Sequence, residues 1–309
     1  MSTDVRDRGC LPAWWEAMYR RDESRVPAAR FAEVMRPPDA AEVLDVIRRA
    51  GGGKSPGHDG LDIDFWKLVT GAPGSACLEV ATRIIALSFE LGTVPDVFKH
   101  GWITMVPKVK PDGSFSCAAS DMRPITVLPE LGKIASRLLA RRVGLVLVQY
   151  PHLLAGAQRG FLMDGSVDQC TDVLLDVIED WRQRAEGRGV ADLFVVSYDQ
   201  SKAYDSVQKY SIRASLERFN MPESFIHYVV SGLEGATSQV RTAGGLTESF
   251  DLHSGVRPAR PADIPLRCRR AARRVGEESA FPRAVWGLGL SFRVGCGQPP
   301  GPCLLMRVC

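Results

Sequence analysis

A chain of 309 residues, 45% of them hydrophobic, is long enough to bury a sizeable core in one large domain or two ordinary ones. No apolar run approaches the roughly 18 residues of a membrane span, and no apolar run follows the charged stretch Met1–Arg8, so a cytoplasmic or nuclear protein is expected rather than a secreted or membrane-spanning one. The net charge of +3 divides unevenly: nine Arg, no Lys and three acidic residues follow Arg257, while the first 257 residues carry 30 basic and 33 acidic side chains, so bulk charge gives the body no nucleic-acid signature.

Residues 1–37 are mixed in character and read as a short helical lead-in that includes Trp14-Trp15. Pro37-Pro38-Asp39 is a helix start, and Val43, Leu44, Ile47 and Ala50 repeat at helical spacing until Gly51. The stretch Gly51–Gly60 contains Gly-Lys-Ser, which invites a phosphate-loop reading. That motif needs another Gly at the position held by Arg48, and it follows a strand rather than a helix, so a glycine-rich structural connector is expected. A helix over Ala76–Leu91 carries Leu78, Ala81, Ile85 and Phe89 on one face and stops at Gly92.

Trp102–Val106 reads as a strand closed by Pro107, followed by Lys108, Lys110 and the Pro111-Asp112-Gly113 turn, and Arg123–Leu128 as the next extended piece. Lys108 and Arg123 near the ends of two such strands could present two cations on one face, or be ordinary solvated charge. Lys133–Gln149 reads as a long helix. Ser166 is placed to cap another that carries Val167, Cys170, Leu174, Val177 and Trp181. The eight cysteines form no CxxC pair and none sits near a histidine at zinc spacing, which argues against a zinc site and, in a reducing compartment, against a disulfide framework.

Leu193–Ser197 is an apolar, β-branched run that ends in Asp199, and a carboxylate at the end of a buried strand is held rigidly yet left open to substrate. Asp205 or Ser206 then caps a helix with Val207, Ile212, Leu216 and Phe219 on its apolar side. Ser238–Arg241 and Leu246–Leu252 suggest a hairpin around Gly244-Gly245. After Arg257, Pro, Arg, Gly and Cys dominate and periodicity is lost, so a poorly ordered tail is expected over 258–309.

Together these motifs resemble the reverse transcriptase domain of non-LTR (LINE-type) retrotransposons over about residues 40–257. In family order, Gly53–Gly60 is similar to GKAPGPDG, Ile103–Lys108 to IxLIPK and Met122–Thr126 to YRPIS. Gln158–Phe161 with Ser166 is similar to QxGF...S, Asp199–Val207 to DxxKAFDSV, and Ser254–Arg257 to the start of GVRQGDPLSP. The resemblance implies an α/β (α+β) fold: right-hand polymerase fingers and the start of the palm over 38–190, and a partial palm over 191–257.

It further implies an RNA-directed DNA polymerase acting on RNA template, DNA primer and dNTP by a two-metal mechanism, with Mg²⁺ as the implied ion. In that reading Asp199 is the first catalytic, metal-binding carboxylate. Tyr204 lies under the sugar of the incoming nucleotide and rejects a 2′-hydroxyl, and Lys108 and Arg123 hold the triphosphate. The sequence departs from the family after Arg257: Pro258 stands where the block has Gln, and no Asp-Asp pair occurs among the 309 residues. The expectation is therefore a truncated fragment that is inactive as written, through a frameshift, intron read-through or true truncation. The alternative is a non-catalytic nucleic-acid-binding remnant.

Overall fold

The computed structural model describes residues 27–109, 112–116, 118, 121–150, 166–185, 193–198, 204–256 and 303–307. Two compact units divide the chain, Met1–Val143 with Lys202–Pro265 and Gly144–Ser201 with Leu266–Cys309.

In the first unit a 3₁₀ helix, Ala28–Met35, leads into α1, Ala40–Arg49. The Asp39 side chain accepts the Glu42 amide at 2.8 Å, and Arg48 and Arg49 lie in the last turn, so both ends of the helix suit its dipole. Next comes α2, Ile63–Thr70, a helix that apolar spacing does not reveal because only Ile63, Trp66 and Thr70 face inward. Its local start signal is Asp62, which accepts the Phe65 amide at 2.7 Å. The following helix, α3 (Ala76–Glu90), is capped by Ser75 Oγ on the Leu78 amide and closed by Gly92 at φ +63°. These three helices pack on one another. Val43, Ile47, Ile63, Ile85 and Phe89 are buried in the core, each contributing about 1.5–3 kcal/mol.

The long helix, α4, runs Glu130–Gln149 and starts three residues before the sequence expectation. Glu130 is 1% exposed yet charged. It is tolerated there because Lys133 and Arg137 both reach its carboxylate at 2.5 Å. Ile134 and Leu138 on this helix are buried, as is Ile226 of α7, Glu223–Ser231. The Tyr228 ring of α7 meets Phe89 edge-on at 5.3 Å, and burial pushes its phenol up to about 12.

A five-stranded mixed sheet completes the unit. β1 (His100–Pro107) pairs antiparallel with β2 (Met122–Val127), as two strands joined by a turn should. On its other side β1 pairs in parallel with β4, Thr237–Thr242, a contact that no local signal announces. The expected hairpin is present but broken on its return arm. β5 (Gly245–Leu246) pairs with the end of β4, and β6 (Phe250–Asp251) pairs with its start. Between them, Thr247 Oγ1 accepts the Val240 amide in place of a ladder carbonyl.

The helix after the Tyr204 turn, α6, is Lys209–Arg218 with Gln208 at its N-cap, so neither Asp205 nor Ser206 caps it, contrary to the sequence expectation. The turn at 204–206 is followed by Val207, whose carbonyl accepts the Gly255 amide at 2.8 Å, and the helix starts after that contact.

The described parts of the second unit include α5, Val167–Ala185, with Ser166 Oγ accepting the Asp168 amide as expected for a cap. They also include β3, Phe194–Tyr198, paired in parallel with β7, Cys303–Arg307. β7 corrects the expectation of an irregular tail at those five residues. Composition averaged over 52 residues hides the short apolar run Leu304-Leu305-Met306, which suits a strand once a ladder partner is offered.

Candidate functional site

Side chains directly opposite one another in a ladder share a face, and alternate residues along a strand do so too. Val106 pairs with Arg123, and the ladder continues past Pro107 as the Lys108 amide donates to the Asp121 carbonyl at 2.8 Å. Lys108 and Arg123 are therefore diagonal neighbours on one face, about 7–8 Å apart at the backbone, and both are exposed. The two cations that the sequence left as either a pair or ordinary solvated charge are brought together by register.

The same face carries His100, Trp102 and Thr104 of β1, Ile125 of β2, and Thr237, Gln239 and Arg241 of β4. His100 is locked there: its Nε2–H donates to Gln239 Oε1 at 3.0 Å and its Nδ1 accepts from the Thr237 hydroxyl at 2.8 Å. The Arg241 guanidinium lies over the Trp102 ring, 4.5 Å from its centroid. Sequence reading missed Trp102, Gln239 and Arg241 as members of a site, because only the parallel β1–β4 pairing places them beside the β1–β2 ribbon.

Tyr204 sits in the turn Tyr204–Ser206 with 43% of its surface exposed. The segment Ser254-Gly255-Val256 clasps this turn. The Val256 amide donates to the Tyr204 carbonyl at 2.9 Å, and Ser254 Oγ donates to the Asp205 carbonyl at 3.2 Å. Gly255 has φ +89°, and a Cβ there would lie 3.1 Å from Asp205 Cα, so both its conformation and its neighbour select glycine. Two motifs about 50 residues apart in sequence thus form one structural piece. Asp199, the predicted catalytic residue, lies outside the described residues, as do Gln158–Phe161 and Arg257.

The glycine-rich connector has a structural account of its own. The Gly53 amide donates to Asp64 Oδ2 at 2.7 Å, and a Cβ on Gly52 would lie 2.5 Å from Asp64 Oδ1. Gly57 packs directly on backbone, where a Cβ would meet Pro129 N at 2.6 Å, so the loop is pressed onto the junction between β2 and α4. His58 donates to the Val97 carbonyl at 3.0 Å, with its ring 5.3 Å from that of His100.

Among the described residues no group of three or more His, Cys, Asp or Glu side chains is placed to hold a metal ion. Among the same residues no helix is long and apolar enough to cross a membrane.

No protein-family model matches the chain. It is similar to the retrovirus-related Pol polyprotein from type-1 retrotransposable element R2 of Popillia japonica, at 31% identity over 209 residues, 64% of this chain and 27% of that protein. The Pol polyprotein from type-2 retrotransposable element R2DM of Drosophila melanogaster is 28% identical over 208 residues, 67% of this chain and 18% of that protein. A probable RNA-directed DNA polymerase from transposon X-element of the same fly is 25% identical over 221 residues, covering 71% and 23%. The matched part of the chain thus spans about a quarter or less of the length of these relatives.

Proposed function

We propose, on the premise that this chain carries a non-LTR reverse transcriptase-like domain related to R2-type Pol polyproteins, that residues 38–190 are the fingers and start of the palm of an RNA-directed DNA polymerase, and residues 191–257 part of its palm. The observation that carries this reading is the β1–β2 register, which puts Lys108 and Arg123 on one exposed face at diagonal-neighbour distance. Two such cations suit a triphosphate. The planar guanidinium of Arg123 grips phosphate oxygens through two parallel hydrogen bonds, and the Lys108 ammonium adds a compact point charge.

Tyr204 is proposed as the residue under the sugar of the incoming dNTP. Its turn is braced by Ser254–Val256, so the ring would meet a 2′-hydroxyl on a backbone that does not yield. The proposed partners are an RNA template and a DNA primer. Asp199 as a metal-binding catalytic carboxylate rests on motif similarity, as does Mg²⁺, which in this chemistry activates the primer hydroxyl and stabilises the leaving pyrophosphate.

The 309 residues contain no Asp-Asp pair, and one carboxylate does not hold two ions in line for displacement. This polypeptide by itself is therefore proposed to bind nucleotide without polymerising it. A fluorescent dNTP titrated into the purified chain should bind, and the Lys108→Gln/Arg123→Gln pair should weaken that binding at least about tenfold, the loss of one charge-assisted hydrogen bond or more. Primed RNA template with dNTPs and Mg²⁺ should give no extension. Unchanged nucleotide affinity in the double variant would overturn the triphosphate assignment, and robust synthesis abolished by Asp199→Ala would overturn the assignment as inactive.

A further inference from the structure

We propose that α3 is a self-association surface, through which two copies of this chain pair antiparallel about a two-fold axis. The proposal does not rest on the polymerase reading. One side of α3 is committed to the core, where Ala81, Ile85 and Phe89 are buried. A second apolar stripe faces water. Val80, Ile84, Leu87 and Leu91, the last at the C-cap, follow one another at intervals of four, three and four residues and are 59%, 36%, 38% and 70% exposed. Apolar residues scattered singly over a surface are ordinary, but four aligned at the spacing of a coiled-coil seam are not scattered. At about 100° per residue the stripe centres about 130° from the middle of the buried face, so a second helix laid on it approaches from the side away from the core.

Charge identifies the occupant. Arg83 and Glu90 lie along one edge of the stripe, immediately before Ile84 and Leu91, and they pair with each other at 3.5 Å along the helix. Their side chains are 65% and 41% exposed. They stand one heptad apart and so hold the same flanking position of the seam, the kind that sets the choice and direction of a partner helix. A two-fold axis across the helix brings this edge against the same edge of a second copy, in reverse order. Arg83 then meets Glu90 of the second copy, and Glu90 meets its Arg83. In the same register Ile84 layers with Leu87 of the second copy and Val80 with its Leu91, and each layer occurs twice. A parallel pair would instead set Arg83 and Glu90 against the opposite edge, where Ala81 and Ser88 are buried and no ionic partner stands. The stripe is therefore complementary to itself, in apolar layers and in charge, only when reversed.

A single helix seam covers less than the roughly 800 Å² per partner of a standard interface, so a weak dimer is expected, and sedimentation velocity of the full chain from about 1 to about 200 µM should show a reversible shift from monomer to dimer. Val80→Glu/Leu91→Glu changes two positions that are more than half exposed, so it should keep the wild-type melt and stay monomeric throughout. Arg83→Glu and Glu90→Arg each set two like-charge pairs in the dimer, and each should weaken association about fivefold or more. An equimolar mixture of these two variants restores opposite charges at both contacts, so it should dimerise as tightly as the wild type. Loss of the internal Arg83–Glu90 pair by itself gives no such rescue.

A wild-type chain that stays monomeric at the top of that range overturns the proposal and leaves the stripe to a different partner. Dimerisation that survives Val80→Glu/Leu91→Glu moves the interface off α3 and overturns it equally. A mixture of Arg83→Glu with Glu90→Arg that associates no better than either variant alone overturns the antiparallel register, and with it the proposal.

Discussion

Arg142 is 8% exposed yet charged, a combination that costs several kcal/mol in desolvation unless its donors are used. Four of its five N–H donors are used. Nε and Nη2 donate to the two Glu42 oxygens at 2.8 and 2.7 Å, and Nη1 donates to the carbonyls of Val34 and Arg36. One side chain of α4 thereby ties down both the 3₁₀ helix and α1. Arg142→Leu should lower stability by about 3 kcal/mol, because Glu42 is left half-buried with only the outer Arg36 for company. Urea denaturation followed by circular dichroism measures it, and a loss under about 1 kcal/mol would contradict the clamp. Neither the burial of Arg142 nor its partners, 100 residues distant, is legible in its neighbours Ala140, Arg141 and Val143. In sequence it is one of several arginines on a long helix.

Elements were legible where their signals are local. α1 and α3 carry caps next to apolar repeats of helical period, and both form where those signals stand. α2 has its cap but too short an apolar repeat to be noticed. The start of α6 misled for another reason. Asp205 has the right chemistry for a cap, but the backbone on either side of it is committed to Gly255 and Val256. Ser75→Ala should therefore cost about 1 kcal/mol through loss of the cap on α3, whereas Asp205→Ala should stay within about 0.5 kcal/mol, the range of an exposed substitution without a special role. Thermal melts of the two variants side by side test this. Equal losses would restore the capping role that Asp205 lacks here.

At the scale of the whole molecule, α4 is joined to α1 by ion pairs that acid should undo. The Arg142 hydrogen bond holds the Glu42 carboxyl below its ordinary value, and Arg49, then Arg141, do the same for Asp45. A carboxyl with a lowered folded value stabilises the fold above its ordinary titration range, and that stabilisation is lost as pH falls through the folded value. The melting temperature should therefore be insensitive to these groups from neutral pH to about 5 and decline below it. Glu42→Gln should flatten that acid decline, and an unchanged decline would place the acid sensitivity elsewhere.

The local chemistry of the chain determined the caps of α1 and α3, the β1–β2 ribbon with Lys108 and Arg123 at neighbouring positions, and the order of motifs that resembles a non-LTR reverse transcriptase domain. All of these depend on residues near one another in sequence. Only the tertiary structure decided the parallel pairing of β1 with β4, which sets Arg241 over Trp102, and the clasp of Gly255 on the Tyr204 turn. Those contacts join segments about 50 to 140 residues apart. Their energy comes from register and shape between surfaces, which neither composition nor periodicity records.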